Sequence, residues 1–221
     1  MSEEKRAGEM VEGGGFGPMR AARAEVYEQM LSRLRILDPV FTWRRSSHAE
    51  DVEDLVVSEG IEGITGGPSH VQWYFGKLLP PYHVDRTWEF TEPGCRWGSI
   101  FKIDPLRTDI EIGRHILMPN VPGKNFLAPI VEEARRLIGK SYDESEFLFQ
   151  LLHELGIELP DWTAQDEHQC STGGNHLYAI AGLVWCPGHG PWVSPEDIRR
   201  SVYYKPIWRW GNASGPPIGG V

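Results

Sequence analysis

Residues 64–103 read ITGGPSHVQWYFGKLLPPYHVDRTWEFTEPGCRWGSIFKI, and this stretch decides the fold class. The run His70-Val71-Gln72-Trp73-Tyr74-Phe75 leaves a Gly66-Gly67-Pro68-Ser69 turn and is aromatic and β-branched, which predicts a strand. Residues 86–91 and 98–103 predict two more strands, joined by a turn at Glu92-Pro93-Gly94. Working outward, Pro39-Val40-Phe41-Thr42-Trp43 predicts a strand upstream, and Tyr203 to Trp208 a last strand or extended edge. Residues 104–125, with Pro105, Pro119 and Pro122, read as loop.

Helical periodicity fills the remainder. Val26, Met30, Leu31, Leu34 and Leu37 predict a helix over 19–37, stopped by Asp38-Pro39. A short helix is expected at 47–59, with Ser47 as N-cap and Glu50 three residues on. Residues 126–139 predict a helix ending at Gly139. Residues 143–155 predict an amphipathic one capped by Asp143 and Glu146. Cys170 to Val184 reads as a buried helix, although Gly173 and Gly174 weaken it. Ser194-Pro195-Glu196-Asp197 starts a short helix with proline in its first turn. Helices and strands are grouped rather than alternating. The expected class is therefore α+β, an antiparallel sheet packed against helices, not a doubly wound parallel sheet.

Composition sets limits on function. The 221 residues carry 22 Lys plus Arg and 31 Asp plus Glu, a net charge of −9. Phosphates repel such a chain, so nucleic acid and anionic membrane surfaces are poor partners. No apolar run approaches the length of a transmembrane helix, and the first residues lack the apolar core of a secretion signal. Synthesis in the cytoplasm is the expectation. Three cysteines, Cys95, Cys170 and Cys186, rule out a disulfide framework and suit a reducing compartment. Residues 1–18 and 211–221 read as flexible tails flanking a single domain over 19–210.

Three residues carry the candidate chemistry. Cys170 opens a predicted helix, where the positive end of the helix field favours thiolate and free N–H groups can receive an oxyanion. A buried free cysteine is also a common packing residue. His70 begins a strand beside a tight turn, and its near-neutral pKa suits a base for a thiol. Glu89 lies in the next strand, where a carboxylate would orient the imidazole; Glu92, in the turn, competes for that role. An ordinary surface carboxylate is the plain alternative for both. One or two of the rings, Trp73 or Trp192, are expected to line a cleft, while most of the aromatic set packs inside.

In the order His70, Glu89, Cys170 the chain resembles the permuted papain-fold cysteine amidases, the YiiX/YaeF-like relatives of the NlpC-type cell-wall peptidases. The likeness spans about residues 36–205 and rests on five stretches. Leu37-Asp38-Pro39-Val40-Phe41 resembles the family's opening strand. Ile64-Thr65-Gly66-Gly67-Pro68-Ser69-His70-Val71 resembles its T-G-x-x-S-H-V entry to the histidine. Trp88-Glu89-Phe90-Thr91-Glu92-Pro93-Gly94 resembles its I-E-A strand and turn. Gly139-Lys140-Ser141-Tyr142-Asp143 resembles its G-x-x-Y-D. Cys170-Ser171, with Ser194-Pro195-Glu196-Asp197-Ile198 downstream, resembles its C-S-E-L helix and S/T-P-x-D-L closing segment.

The resemblance implies a circularly permuted papain-like fold with Cys170 as nucleophile, His70 as base and Glu89 as orienting acid. It implies hydrolysis of an amide through an acyl-enzyme, with peptidoglycan peptide as the leading substrate class, and no cofactor or metal. A backbone oxyanion site at the Cys170 helix is expected, with Gln165 or Gln169 as side-chain contributors. A wall substrate would require delivery to the wall, by a partner or within a phage particle; the alternative is a cytoplasmic substrate.

The chain departs from the pattern at Ser171-Thr172-Gly173-Gly174, where the family has Ser-Glu-Leu, and in its Trp-rich C-terminus (Trp185, Trp192, Trp208, Trp210). Two further readings stand beside the amidase. One is a lipid acyltransferase or thioesterase on the same fold, acting on a lipid-acyl substrate. Those relatives carry a second histidine near the base and N-C-E-H-F at the nucleophile, where this chain has Gln169-Cys170-Ser171-Thr172-Gly173. The other is a non-catalytic binding or assembly module, for example in a phage particle, suggested by the Gly-rich helix at Cys170 and the surplus of aromatic residues.

Other motifs fall short. Cys186-Pro187-Gly188-His189 has zinc-pair spacing but no second pair. His153-Glu154-Leu155-Gly156-Ile157 lacks the second histidine of a metalloprotease helix. Gly139-Lys140-Ser141 matches the end of a phosphate loop, but Ala134 stands where the loop needs glycine.

Overall fold

Period-two alternation sends apolar side chains to both sides of a single sheet, and helices cover both sides. The computed structural model describes residues 16–44, 67–78, 85–91, 94–120, 122–141, 169–187 and 193–211. Its elements are α1 (Phe16–Arg33), β1 (Pro39–Arg44), β2 (His70–Gly76), β3 (Arg86–Thr91), β4 (Gly94–Ser99), a 3-10 turn (Ile100–Lys102), β5 (Thr108–His115), α2 (Lys124–Leu137), α3 (Cys170–Ile180), α4 (Pro195–Arg200) and β6 (Tyr204–Trp210). The strands form one six-stranded sheet in the order β4-β3-β2-β1-β5-β6, and every neighbouring pair is antiparallel. The expected α+β class with an antiparallel sheet is what forms. The helices expected at 47–59 and 143–155 lie outside the described residues. No described helix is long and apolar enough to cross a membrane.

One side of the sheet carries Phe41, Val71, Trp73, Phe75, Trp88 and Phe90, in one buried cluster with residues of α2, α3 and α4. The other side carries Val40, Tyr74, Ile110 and Ile112, closed by Met30 of α1 and by Ile100 and Ile103. Trp73, Trp88 and Trp185 are fully buried. Truncating any one of them removes a large apolar payload, on the order of 3–5 kcal/mol.

Several element boundaries differ from the expectation. Helix α1 ends at Arg33 rather than 37. The Asp38 carboxylate accepts the Arg35 N–H at 2.8 Å and is held by Arg114 at 2.5 Å, while Leu37 takes φ 70°, which no helix continues through. The helix starts at Phe16, inside the expected tail. Strand β4 runs over Gly94–Ser99 instead of 98–103, because Ser99 caps the 3-10 turn by accepting the Phe101 N–H. Helix α2 begins two residues early and ends at Leu137, and α3 stops at Ile180 rather than Val184. Strand β6 runs on to Trp210.

The largest difference is β5, which occupies the middle of the expected 104–125 loop. Its Glu111 is fully buried, a placement that local sequence disfavours. The carboxylate is matched by partners far along the chain: Arg199 donates to it at 2.9 Å, and Arg209 and the Tyr204 hydroxyl donate as well.

Candidate functional site

Helix α3 is pinned to the sheet near both ends. Trp73 donates its indole N–H to the Cys170 carbonyl at 3.1 Å, and Tyr178 donates its hydroxyl to the Leu37 carbonyl at 2.5 Å. The paired glycines explain themselves here. A Cβ at Gly174 would fall 1.8 Å from Trp73, and one at Gly173 would fall 2.7 Å from Phe90. They let the helix lie directly on the rings. Trp73 is thus 1 % exposed and lies beneath the helix, not in a cleft wall as expected. Trp192 lies outside the described residues.

This docking brings Cys170 to the start of β2. The thiol lies against the His70 imidazole, which acts on its charge, as do the backbone N–H groups of Val71 and Ser171. His70 Nε2 pairs with Glu89 Oε2 at 3.1 Å. Glu89 sits on the strand next to β2, and Arg96, directly across from it on β4, donates to its other oxygen at 2.9 Å. All three residues singled out from the sequence therefore meet. Glu92 and Gln165 lie outside the described residues. Gln169 is the buried N-cap residue of α3, and its N–H donates to Thr172 Oγ1 at 2.9 Å.

Sequence reasoning missed Arg96. Only the register, in which Thr91 pairs with Gly94, sets 96 opposite 89. Placing the strand at 98–103 hid it.

Electrostatics separate the three thiols. Burial works against a Cys170 thiolate, but the His70 charge and its hydrogen bond outweigh it and lower the pKa. Burial also opposes the imidazolium, yet the Cys170 charge and hydrogen bond, followed by Glu89, raise His70 above the ordinary imidazole value. Glu89 is driven down to about 2: burial would raise it, and the hydrogen bonds and charges of His70 and Arg96 prevail. Cys95 and Cys186 go the other way, pushed up to about 12 by burial and then by Glu89 and Asp197 respectively. The arrangement favours a thiolate–imidazolium pair at one cysteine only. The His70 side chain is 27 % exposed, so one edge of the pair meets solvent.

Among the described residues no group of three or more His, Cys, Asp or Glu is placed to hold a metal ion. His189 lies outside them, so the Cys186 pair has no geometry to describe. No protein-family model matches the chain. No curated protein matches it either.

Proposed function

We propose that this chain is a cysteine hydrolase that cleaves an amide through a Cys170–His70–Glu89 acyl-enzyme mechanism. The observation that carries the reading is the convergence of thiol, imidazole and carboxylate: Cys170 and His70 act on each other's charge, and His70 pairs with Glu89 at 3.1 Å. In the proposed cycle the Cys170 thiolate attacks the carbonyl carbon, forming a C–S bond as the carbonyl electrons move to oxygen. Backbone N–H groups at the start of α3 receive that charge. Collapse breaks the C–N bond, and His70 gives its proton to the departing amine. Water then attacks the thioester while His70 takes its proton. Loss of sulfur releases the carboxylic acid and restores the pair. Glu89 holds the ring and stabilises the imidazolium throughout.

A circularly permuted papain-like fold accommodates this order of residues, and the antiparallel sheet with the nucleophile at a helix start is compatible with it. Peptidoglycan peptide is the leading substrate class in that reading. The glycines that favoured a non-catalytic module have a packing reason in Trp73 and Phe90, which removes one ground for that alternative.

The test is labelling with iodoacetamide at pH 6, followed by mapping of the modified residue, with peptide, ester and thioester substrates assayed in parallel. We expect single modification at Cys170, none there in Cys170→Ala, and no turnover by that variant. Turnover retained in Cys170→Ala overturns the mechanism. A lipid ester consumed faster than a peptide amide moves the assignment to a lipid acyltransferase or thioesterase.

A further inference from the structure

Gly67, Pro68 and Ser69 lead directly into His70, and both β1 and α4 hold this turn. From β1, the Thr42 carbonyl accepts from the Ser69 N–H at 3.1 Å and from its hydroxyl at 3.2 Å. From α4, Glu196 lies against Gly67 so closely that a Cβ at 67 would fall 2.4 Å from Glu196 Cβ and 2.6 Å from its Oε2. Glu196 has no room to retreat. It is 3 % exposed, and its carboxylate accepts from Arg199 at 2.6 Å and from Arg200 at 2.9 Å. Arg199 is fixed in turn, donating to Glu111 at 2.9 Å with its guanidinium 4.8 Å from the Trp43 ring centre. Trp43 follows Thr42, the residue opposite His70 in the β1–β2 register. One charge cluster therefore touches both supports of the turn.

Buried ion clusters are poor sources of net stability, since desolvation offsets much of the attraction. They do impose one geometry. We propose that Glu196, clamped by Arg199 and Arg200, is a positioning residue: it is the stop against which the Gly67–Ser69 turn sets the His70 imidazole onto Cys170 and Glu89. The proposal rests on the cysteine-hydrolase reading. Glu196 acts through the turn and does not touch the reacting atoms. A misplacement of about 1 Å at a reacting group costs on the order of 100-fold in rate, so a stop this close to the base has large leverage.

The test uses the full chain and the rate of Cys170 alkylation by iodoacetamide between pH 4 and pH 10, with thermal unfolding measured alongside. The variants are Gly67→Ala, Glu196→Gly and the double variant that moves the bulk across the contact. Gly67→Ala is expected to lose about tenfold or more of the rate at pH 6, with its acid limb displaced upward by about one pH unit, in line with the leverage of a small displacement. The double variant regains most of that loss. A purely structural role would lower the melting temperature and leave the profile of the folded protein where it was.

A folded Gly67→Ala with the wild-type profile overturns the proposal, as does a double variant no better than Gly67→Ala. Where Gly67→Ala does not fold, Glu196→Gly carries the test, and an unmoved profile in it overturns the proposal. A wild-type Cys170 no more reactive at pH 6 than an ordinary thiol overturns the hydrolase reading itself, which keeps the two failures apart.

Discussion

At the residue scale, the decisive contrast is between Cys170 and the other two cysteines. All three are buried, yet burial governs only Cys95 and Cys186, because among the described residues no cation bears on either sulfur. This gives a pH prediction. Alkylation of Cys170 follows thiolate formation, so its acid limb lies below the ordinary thiol pKa of about 8.5. Turnover needs the imidazolium as well and declines only as pH rises through the raised His70 value, above the usual imidazole range. Replacing Glu89 with Gln removes a negative charge from Nε2. The imidazolium is then less favoured, so the alkaline limb moves to lower pH. We expect kcat to fall by about 10²-fold, the usual scale for disturbing a general acid–base partner, measured as a full pH–rate profile. An unmoved alkaline limb in Glu89→Gln would remove Glu89 from the relay.

At the element scale, helix α3 reverses the propensity rule. Gly174→Ala should stabilise a free helix by about 1 kcal/mol. In this fold the added methyl meets Trp73, which is itself fixed by its hydrogen bond to Cys170. The net effect is expected to be destabilising by about 1–3 kcal/mol, the cost of overpacking a filled core, read from the urea midpoint. Stabilisation instead would mean that the helix sits further from the sheet. Because α3 carries the nucleophile, the same variant should also slow Cys170 alkylation.

At the scale of the whole molecule, the Glu111 cluster ties β5, α4 and β6 together. Glu111→Ala leaves Arg199, whose side chain is 6 % exposed, facing a buried vacancy. The expected loss is about 1–3 kcal/mol, measured by denaturant unfolding, because Arg199 keeps Glu196 but it and the Tyr204 hydroxyl lose their hydrogen bonds to the buried carboxylate. A loss below 1 kcal/mol would mean that water or a shifted side chain replaces the carboxylate.

How legible was all this in the chain? The strands β1, β2 and β3, the helix starting at Cys170 and the cap at Ser194 were readable, because each rests on local chemistry: β-branched and aromatic runs, a proline in a first turn, a capping pair. Cys170, His70 and Glu89 were readable as candidates for the same reason, since residue type and position at element ends are local properties. Strand β5 was not, because Glu111 is acceptable in a buried strand only once Arg199, Tyr204 and Arg209 arrive from the far end of the chain. Arg96 and Glu196 were equally hidden: one depends on strand register, the other on how a helix packs against a turn. The sequence by itself determined which segments form strands and helices and which side chains have the chemistry to react. Tertiary structure alone decided which charges share a dielectric and a hydrogen bond, because Coulomb energy and sub-ångström fit depend on distance in space and not along the chain.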